Sequence, residues 1–471
     1  MKPHESLEKL TIIGYGGGFQ VPSWVGDPLF RNLVCLKLEN CNCTTLPQLG
    51  LLSSLKDLVI KGFPSVRAVD REFCWGSMSS SNPFPALETL RFEDMEEWKE
   101  WNICGCKFRL LRELSIVNCP EVFGELPSDL PSLQTLEIRE CYGLVVSFQN
   151  LPSISHFQIQ GCRKVELRGG FSAANLLMVS KVESFLFGSE ELEQGLRKLK
   201  ALTVGNHSNY ESFTVGDLPV FDNNTSLESI EINSAPRLKS LPENLHMLTN
   251  LRRIFIYHCE GLEALPDGRV AHHSSEKIIL ESCGKLKALP DNMHNLTSLQ
   301  ELIIMNCPNV VSFPQGGLPT THLKKIILES CGKLEALPDN MHNLTSLEVL
   351  AMQYCPGIMS FPEEGFPTNL KSLSIYEVEI CTSLLNWGLH RLTSLEKLTI
   401  AGGCPGVVSF PQDEIDMKLS NSLTSLTIEG FQDLKYLSSK GFQSLTSLEY
   451  LVIKKCPKLA SFPKMACLPL F

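Results

Sequence analysis

Apolar residues recur along most of the chain in the order Leu-x-x-Leu-x-Ile-x-x-Cys. Leu299, Leu302, Ile304 and Cys307 form one instance; Leu251, Ile254, Ile256 and Cys259 form another. The same spacing appears at Leu33/Leu36/Leu38/Cys41, at Leu133/Leu136/Ile138/Cys141 and at Leu448/Leu451/Ile453/Cys456. Within each copy the second and third apolar positions are two residues apart, so they share one face of a short strand. Many copies continue into Leu-x-x-Leu-Pro or Val-x-x-Phe-Pro, as at Leu334, Leu337 and Pro338. There the proline starts a short helical or irregular return limb.

The copies that begin at 227, 251, 275, 299, 323 and 347 lie 24 residues apart. Lys277–Leu299 and Lys325–Leu347 differ at one position in 23, Lys287 against Glu335, so a two-copy block has been duplicated. A fixed period of this length marks a repeat architecture. A lone strand of this kind cannot bury its apolar face, whereas stacked copies make a parallel sheet with a continuous core behind it. The period therefore predicts an α/β repeat solenoid of about 19 coils. Strands would line its concave face, and the convex limb would be irregular or short-helical. At ~4.8 Å per strand the inner arc would span roughly 90 Å. One array would cover 1–471, with N-terminal repeats over 1–164, a degenerate stretch over 165–198 and C-terminal repeats over 199–471.

The period breaks in a few places. The spacing widens between Leu55 and Leu87, which predicts a surface insertion over 70–86 that includes Ser77–Pro83. It widens again before Leu423, where Asp413-Glu414-Ile415-Asp416 forms an acidic loop. Asp94-Met95-Glu96-Glu97-Trp98-Lys99-Glu100-Trp101 reads either as a docking patch or as tryptophans packed on the convex limb among solvated charges.

The 471 residues are 43% hydrophobic and 20% charged, which excludes a disordered chain. A net charge of −10 provides no basic field for nucleic acid. No apolar run reaches the ~18–20 residues of a membrane helix. Lys2-Pro3-His4-Glu5 after Met1 lacks the apolar segment of a secretion signal. Eighteen cysteines are then expected as reduced thiols in a cytoplasmic setting. Ten of them (Cys41, Cys119, Cys141, Cys162, Cys259, Cys283, Cys307, Cys331, Cys355 and Cys456) occupy the ninth position of a copy, and Cys404 sits one residue late. With no paired Cys-x-x-Cys spacing, the ladder reads as small buried side chains rather than zinc ligands. Asn-x-Ser/Thr sequons, such as those headed by Asn42, Asn295 and Asn343, read as chance matches in that setting.

The chemistry of an enzyme is not written in the chain. There is no Gly-x-x-x-x-Gly-Lys-Ser/Thr loop, no His-Glu-x-x-His and no Gly-x-Ser-x-Gly. Gly14-Tyr15-Gly16-Gly17-Gly18 reads as a wide turn, Cys104-Gly105-Cys106 is too tight for zinc, and His272-His273 is a solvent-facing pair. No catalytic, metal or cofactor residue is expected. Binding is left, and the residue midway between the two strand core positions faces out from the sheet. Read along the array it is mostly polar at first (Thr11, Lys37, Arg91, Ser115, Glu137). Four consecutive copies then present Phe255, Ile279, Ile303 and Ile327. Tyr257, Met305 and Tyr376 lie two residues on, with His258 and Tyr354 one further. Rimmed by Glu281, Glu329, Lys324 and Lys325, these residues have the make-up of a protein-binding patch. Equally, β-branched residues suit strand centres for structural reasons alone. A surface role predicts that Ile303→Asp leaves the melting curve unchanged.

The chain resembles the leucine-rich-repeat region of plant NB-ARC disease-resistance proteins of the coiled-coil class. The likeness lies in Leu7–Gly17 followed by Val21-Pro22-Ser23-Trp24-Val25-Gly26-Asp27, and in Leu46-Pro47-Gln48-Leu49-Gly50. Met95–Trp101, Cys119-Pro120 with Glu125-Leu126-Pro127, and the recurrent Cys-Pro and Ser-Phe-Pro pairs share it. The resemblance implies a leucine-rich-repeat horseshoe. It also implies a non-enzymatic role in plant defence, sensing a pathogen effector or a host protein and restraining a nucleotide-binding switch. That switch and a coiled coil precede the repeats in the family, and neither is in this sequence. Met293-His294-Asn295 and Met341-His342-Asn343 lie within repeats and are not the family's Met-His-Asp switch motif. A chain with neither module is expected to be a fragment, a truncated paralogue or a decoy. The alternatives are a substrate-recruiting subunit of a ubiquitin ligase and a general interaction scaffold. A receptor ectodomain would need a signal, a span and paired cysteine caps.

Overall fold

The computed structural model describes residues 2–75, 83–102, 108–127, 129–148, 151–168, 175–187, 196–205, 224–241, 245, 247–265, 275–359, 362–376, 381–402, 404–415 and 417–460. Ser77–Asn82, Cys104-Gly105-Cys106 and His272-His273 therefore lie outside the described residues. The chain divides into two compact units, residues 1–231 and 232–471. Each is built of coils, most of which contribute a five-residue strand, and neighbouring strands pair in parallel.

The expected alternation is observed. In Glu301–Met305, Leu302 and Ile304 are fully buried, and in Lys325–Glu329 the buried residues are Ile326 and Leu328. Behind the strands, Leu299, Leu323 and Leu347 close the core from the approach to each strand, and Leu286, Val310 and Leu334 close it from the return limb. Each such side chain contributes roughly 1.5–3 kcal/mol by leaving water. The limb itself is short: Met293–Asn295 and Met341–Asn343 are single 3-10 turns in which only the methionine is buried. The Met-His-Asn triplets thus serve to plug the core.

One backbone device recurs where the chain leaves the strand. The next residue takes positive φ, as at Asn40 (53°), Asp94 (55°), Ser282 (55°), Asn306 (51°) and Tyr354 (52°). Glycine holds the same place at Gly14, Gly62 and Gly430. The sharp turn aims the N–H sideways, where it donates to the last carbonyl of the following strand. Ser282 N–H reaches Met305 O at 2.9 Å, and Asn306 N–H reaches Glu329 O at 2.8 Å. Each coil is thereby tied to the next beyond the strand ladder.

Residues 135–187 depart from the expected limb. The strands Thr135–Phe148, His156–Leu167 and Leu176–Phe187 run past the turn and continue as sheet, bent at Glu140, Gly161 and Lys181, all of positive φ. Leu144, Val146 and Phe148 are buried alternately, a period of two that favours strand over helix. Leu176–Phe187 falls inside the stretch read as degenerate, and it pairs in parallel with strands on both sides.

The tryptophan stretch packs inward. Trp98 is fully buried and Trp101 nearly so, with ring centroids 5.1 Å apart, and Phe92 lies 4.9 Å from Trp98. Trp98 Nε1 donates to Glu100 O at 2.9 Å. These rings are core, and the docking reading of that stretch is set aside.

All ten ladder cysteines are free thiols. The expectation of reduced cysteines throughout needs correction, however. Cys381 and Cys404 form a disulfide across a Cα–Cα distance of 5.9 Å, and Cys74 is also disulfide-bonded. The physical reason is position. Cys404 is one residue late for the ladder, and Cys381 opens the helix Cys381–Trp387. This brings the two sulfurs together instead of placing either against strand carbonyls.

Candidate functional site

The outward positions of the strands form two different surfaces. In the first unit the central row runs Thr11, Lys37, Val59, Arg91, Ser115, Glu137, Gln158, Met178 and Thr203, in register on adjacent strands. Its charges are largely satisfied within the surface. Arg91 Nη2 donates to Glu113 at 3.0 Å, Ser115 Oγ to Glu137 at 3.1 Å, and Arg139 Nε lies 2.9 Å from Glu137. Beside them Lys61 bonds Glu93 at 2.8 Å, which raises the lysine's pKa.

In the second unit the row is apolar. The register aligns Phe255, Ile279, Ile303 and Ile327 on four adjacent strands, followed by Ala351, Ser374 and Thr399. Four strands span ~15 Å. Phe255, Ile279 and Ile327 are half-buried. Ile303, flanked by an isoleucine on each side, keeps only 7% of its surface exposed. An aspartate there would enter a nearly closed slot, so the expectation of an unchanged melting curve for Ile303→Asp is withdrawn. Ile279 and Ile327 are the accessible members.

The next row, two residues on, is Tyr257, Glu281, Met305, Glu329, Gln353 and Tyr376. Tyr257 and Met305 border the apolar row directly, and the Phe255 and Tyr257 rings stack at 6.3 Å. Tyr376 stands beside Ser374, two strands beyond Ile327. His258 and Tyr354 occupy positive-φ turn positions on strands four apart, with Tyr354 48% exposed. The fold therefore gathers Phe255, Tyr257, Ile279, Ile303, Met305 and Ile327, and sets His258, Tyr354 and Tyr376 at the margins. Met178 of the first unit was missed because the pattern around it is too degraded to assign a strand.

The borders of the apolar row differ in charge. Where the strands begin, the row is Arg253, Lys277, Glu301 and Lys325, with Lys277 held by Glu301 at 2.8 Å. Where they end, Glu281 and Glu329 stand in the row. Among the described residues, Arg253, Lys325, Glu281 and Glu329 make no ion pair.

The ladder thiols lie behind this surface. Burial pushes the Cys259 thiol up to about 11. At Cys283 the hydrogen bond with Cys307 and burial both raise it. Such thiols are poor nucleophiles at neutral pH. Among the described residues, no cluster of three or more His, Cys, Asp or Glu side chains is placed to hold a metal, and no helix is long and apolar enough to cross a membrane.

Comparison with known proteins finds sequence similarity over parts of the chain. A family model described as R13L1/DRL21 LRRs matches residues 1–63. An Arabidopsis thaliana protein named as a disease resistance RPP13-like protein 1 is 32% identical over 263 residues, 54% of this chain and 24% of that protein. A second disease resistance protein of that plant is 36% identical over 147 residues, 30% of this chain and 10% of its own length. The chain thus spans about a quarter or less of the length of the curated relatives it matches. Among solved structures, an LRR protein of Leptospira interrogans aligns over 95% of this chain and 94% of its own, at 14% identity and a TM-score of 0.39. The chain is a leucine-rich-repeat solenoid, and its sequence is similar to plant disease-resistance proteins.

Proposed function

We propose that this chain is the non-enzymatic recognition region of a plant intracellular immune receptor of the NB-ARC, coiled-coil class. In this reading it acts in the cytoplasm and binds a pathogen effector or a host protein that the effector targets. Without that partner it restrains a nucleotide-binding switch carried by the same receptor. The similarity to disease-resistance proteins supports the biological setting. The observation that carries the binding role is the in-register row Phe255, Ile279, Ile303 and Ile327 on the outward face of a sheet. An apolar strip with aromatic and methionine neighbours between charged borders is the composition of an interface core.

The test is a paired interaction screen. The full chain and its Ile279→Gln/Ile327→Gln double variant are screened side by side against pathogen effectors and host proteins. Lys37→Gln, on the polar row of the first unit, serves as the control. The reading expects partners that persist with Lys37→Gln and disappear with the double variant, while both variants remain folded and the double variant loses less than about 2 kcal/mol. Partners indifferent to the double variant would refute this site.

A further inference from the structure

We infer that the partner segment seated on the Phe255–Ile327 row is an amphipathic α-helix lying across the strands, acidic along one edge and basic along the other; this rests on the recognition reading above. The backbone supplies the first argument. The strands from Lys277–Glu281 to Val349–Gln353 are each hydrogen-bonded in parallel on both sides. No strand edge is open there, so an extended peptide cannot join the sheet. Laid flat on the face, it would hold its own N–H and C=O groups against an apolar floor, where an unpaired amide is costly. A helix satisfies its backbone internally and presents side chains alone.

Dimensions supply the second argument. Lys325 and Glu329 begin and end one strand on the same face, four residues apart, or ~13 Å. That corridor matches the ~10–12 Å width of a helix with its side chains. The ~15 Å length of the row takes about ten helical residues.

Charge supplies the third. Arg253 and Lys325 stand on one border, Glu281 and Glu329 on the other, none of them ion-paired among the described residues, while Lys277 is already matched by Glu301 at 2.8 Å. A helix with carboxylates on one edge and ammonium groups on the other meets both borders at once. A uniformly acidic or basic helix meets one border and is repelled by the other.

The experiment measures fluorescence anisotropy of the full chain with labelled 18-residue peptides that share a leucine ridge. One carries Glu on one edge and Lys on the other; two more carry Glu or Lys on both edges. A fourth repeats the mixed peptide with two central prolines. The mixed helix is expected to bind at least about tenfold more tightly than the other three at low salt, and to bind Ile327→Gln at least about tenfold more weakly than the parent chain. The Glu281→Lys/Glu329→Lys variant is expected to shift preference to the all-Glu helix. Equal binding of the three helices, equal binding of the proline peptide, or no binding at all would overturn the helix assignment. Should partners from the paired screen still depend on Ile279 and Ile327, that failure would leave the recognition reading standing. Loss of both would remove it.

Discussion

The Cys307 thiol sits 3.7 Å from the carbonyl oxygen of Leu280, one coil back, and 3.3 Å from that of Met305 in its own strand. Cys331 repeats the arrangement with Ile304 and Glu329, and Cys141 with Ile116 and Arg139. The ninth position of the repeat therefore requires a small side chain with a weak donor, aimed at carbonyls the sheet leaves half-used.

Thiol labelling reads this directly. Among the described free cysteines, Cys35 and Cys456 are partly exposed and the others are buried. Alkylation at neutral pH followed by peptide mass mapping is expected to modify Cys35 and Cys456 first. Cys41, Cys283, Cys307 and Cys331 should react at least about 100-fold more slowly, because they wait for local opening. Denaturant should erase the difference. Fast labelling of Cys307 in the native chain would contradict a buried ladder.

The turn after each strand makes a second prediction. Ser282 holds φ at 55° while its N–H bonds Met305 O. An L-residue in that region costs roughly 1–2 kcal/mol, and a β-branched one more. Ser282→Gly relieves this cost but loosens the unfolded chain, so a net gain of up to about 1 kcal/mol is expected. Ser282→Val should lose about 1–2 kcal/mol. Denaturant midpoints of the two variants should fall on opposite sides of the parent. The same sign for both would show that the turn bears no strain.

How much of this was legible follows from what each feature needs. Leu302, Ile304 and Cys307 could be assigned because the spacing alone fixes which face a strand residue takes. Ile303 was assigned to the correct face, but its 7% exposure depends on Ile279 and Ile327 beside it, and only lateral register reveals that crowding. The strand Leu176–Phe187 was lost because Val182 stands where the repeat places its cysteine and Ala174 where it places its first leucine, so the spacing could not be anchored. The bond between Cys381 and Cys404 joins positions 23 residues apart; the spacing marked Cys404 as one residue late but gave no sign of its partner, which lies outside the ladder. The turn residues were partly visible: Gly14 and Gly62 announce positive φ, whereas Ser282 and Tyr354 do not.

The two faces of one strand should respond differently to truncation. Ile304 is fully buried in the core, and Ile303 lies on the outward face. Ile304→Ala is expected to cost about 2–5 kcal/mol through lost burial and a residual cavity. Ile303→Thr should cost less than about 1.5 kcal/mol, and Ile279→Gln less than about 1 kcal/mol. Urea melts of the three variants give the ranking. Equal losses for Ile303→Thr and Ile304→Ala would mean that the outward row is itself core, and its role as a recognition surface would fall.

Glu231 provides a pH signature. It stands in the middle of the strand Ser229–Asn233, partly buried, and desolvation raises its carboxyl above the usual value of 4.5. The folded chain therefore holds this proton more tightly than the unfolded chain. Between the unfolded and the raised pKa the native state binds more protons, so stability declines as pH rises through that window. Above the window the cost of the buried charge is fully present. Glu231→Gln removes it, so the melting temperature at pH 7 should rise by about 1 °C or more. The gap between variant and parent should close as the pH is brought below 4.5, where both side chains are neutral. A gap independent of pH would assign the effect to packing. A lower melting temperature for the variant at pH 7 would mean that the carboxylate has a stabilising partner.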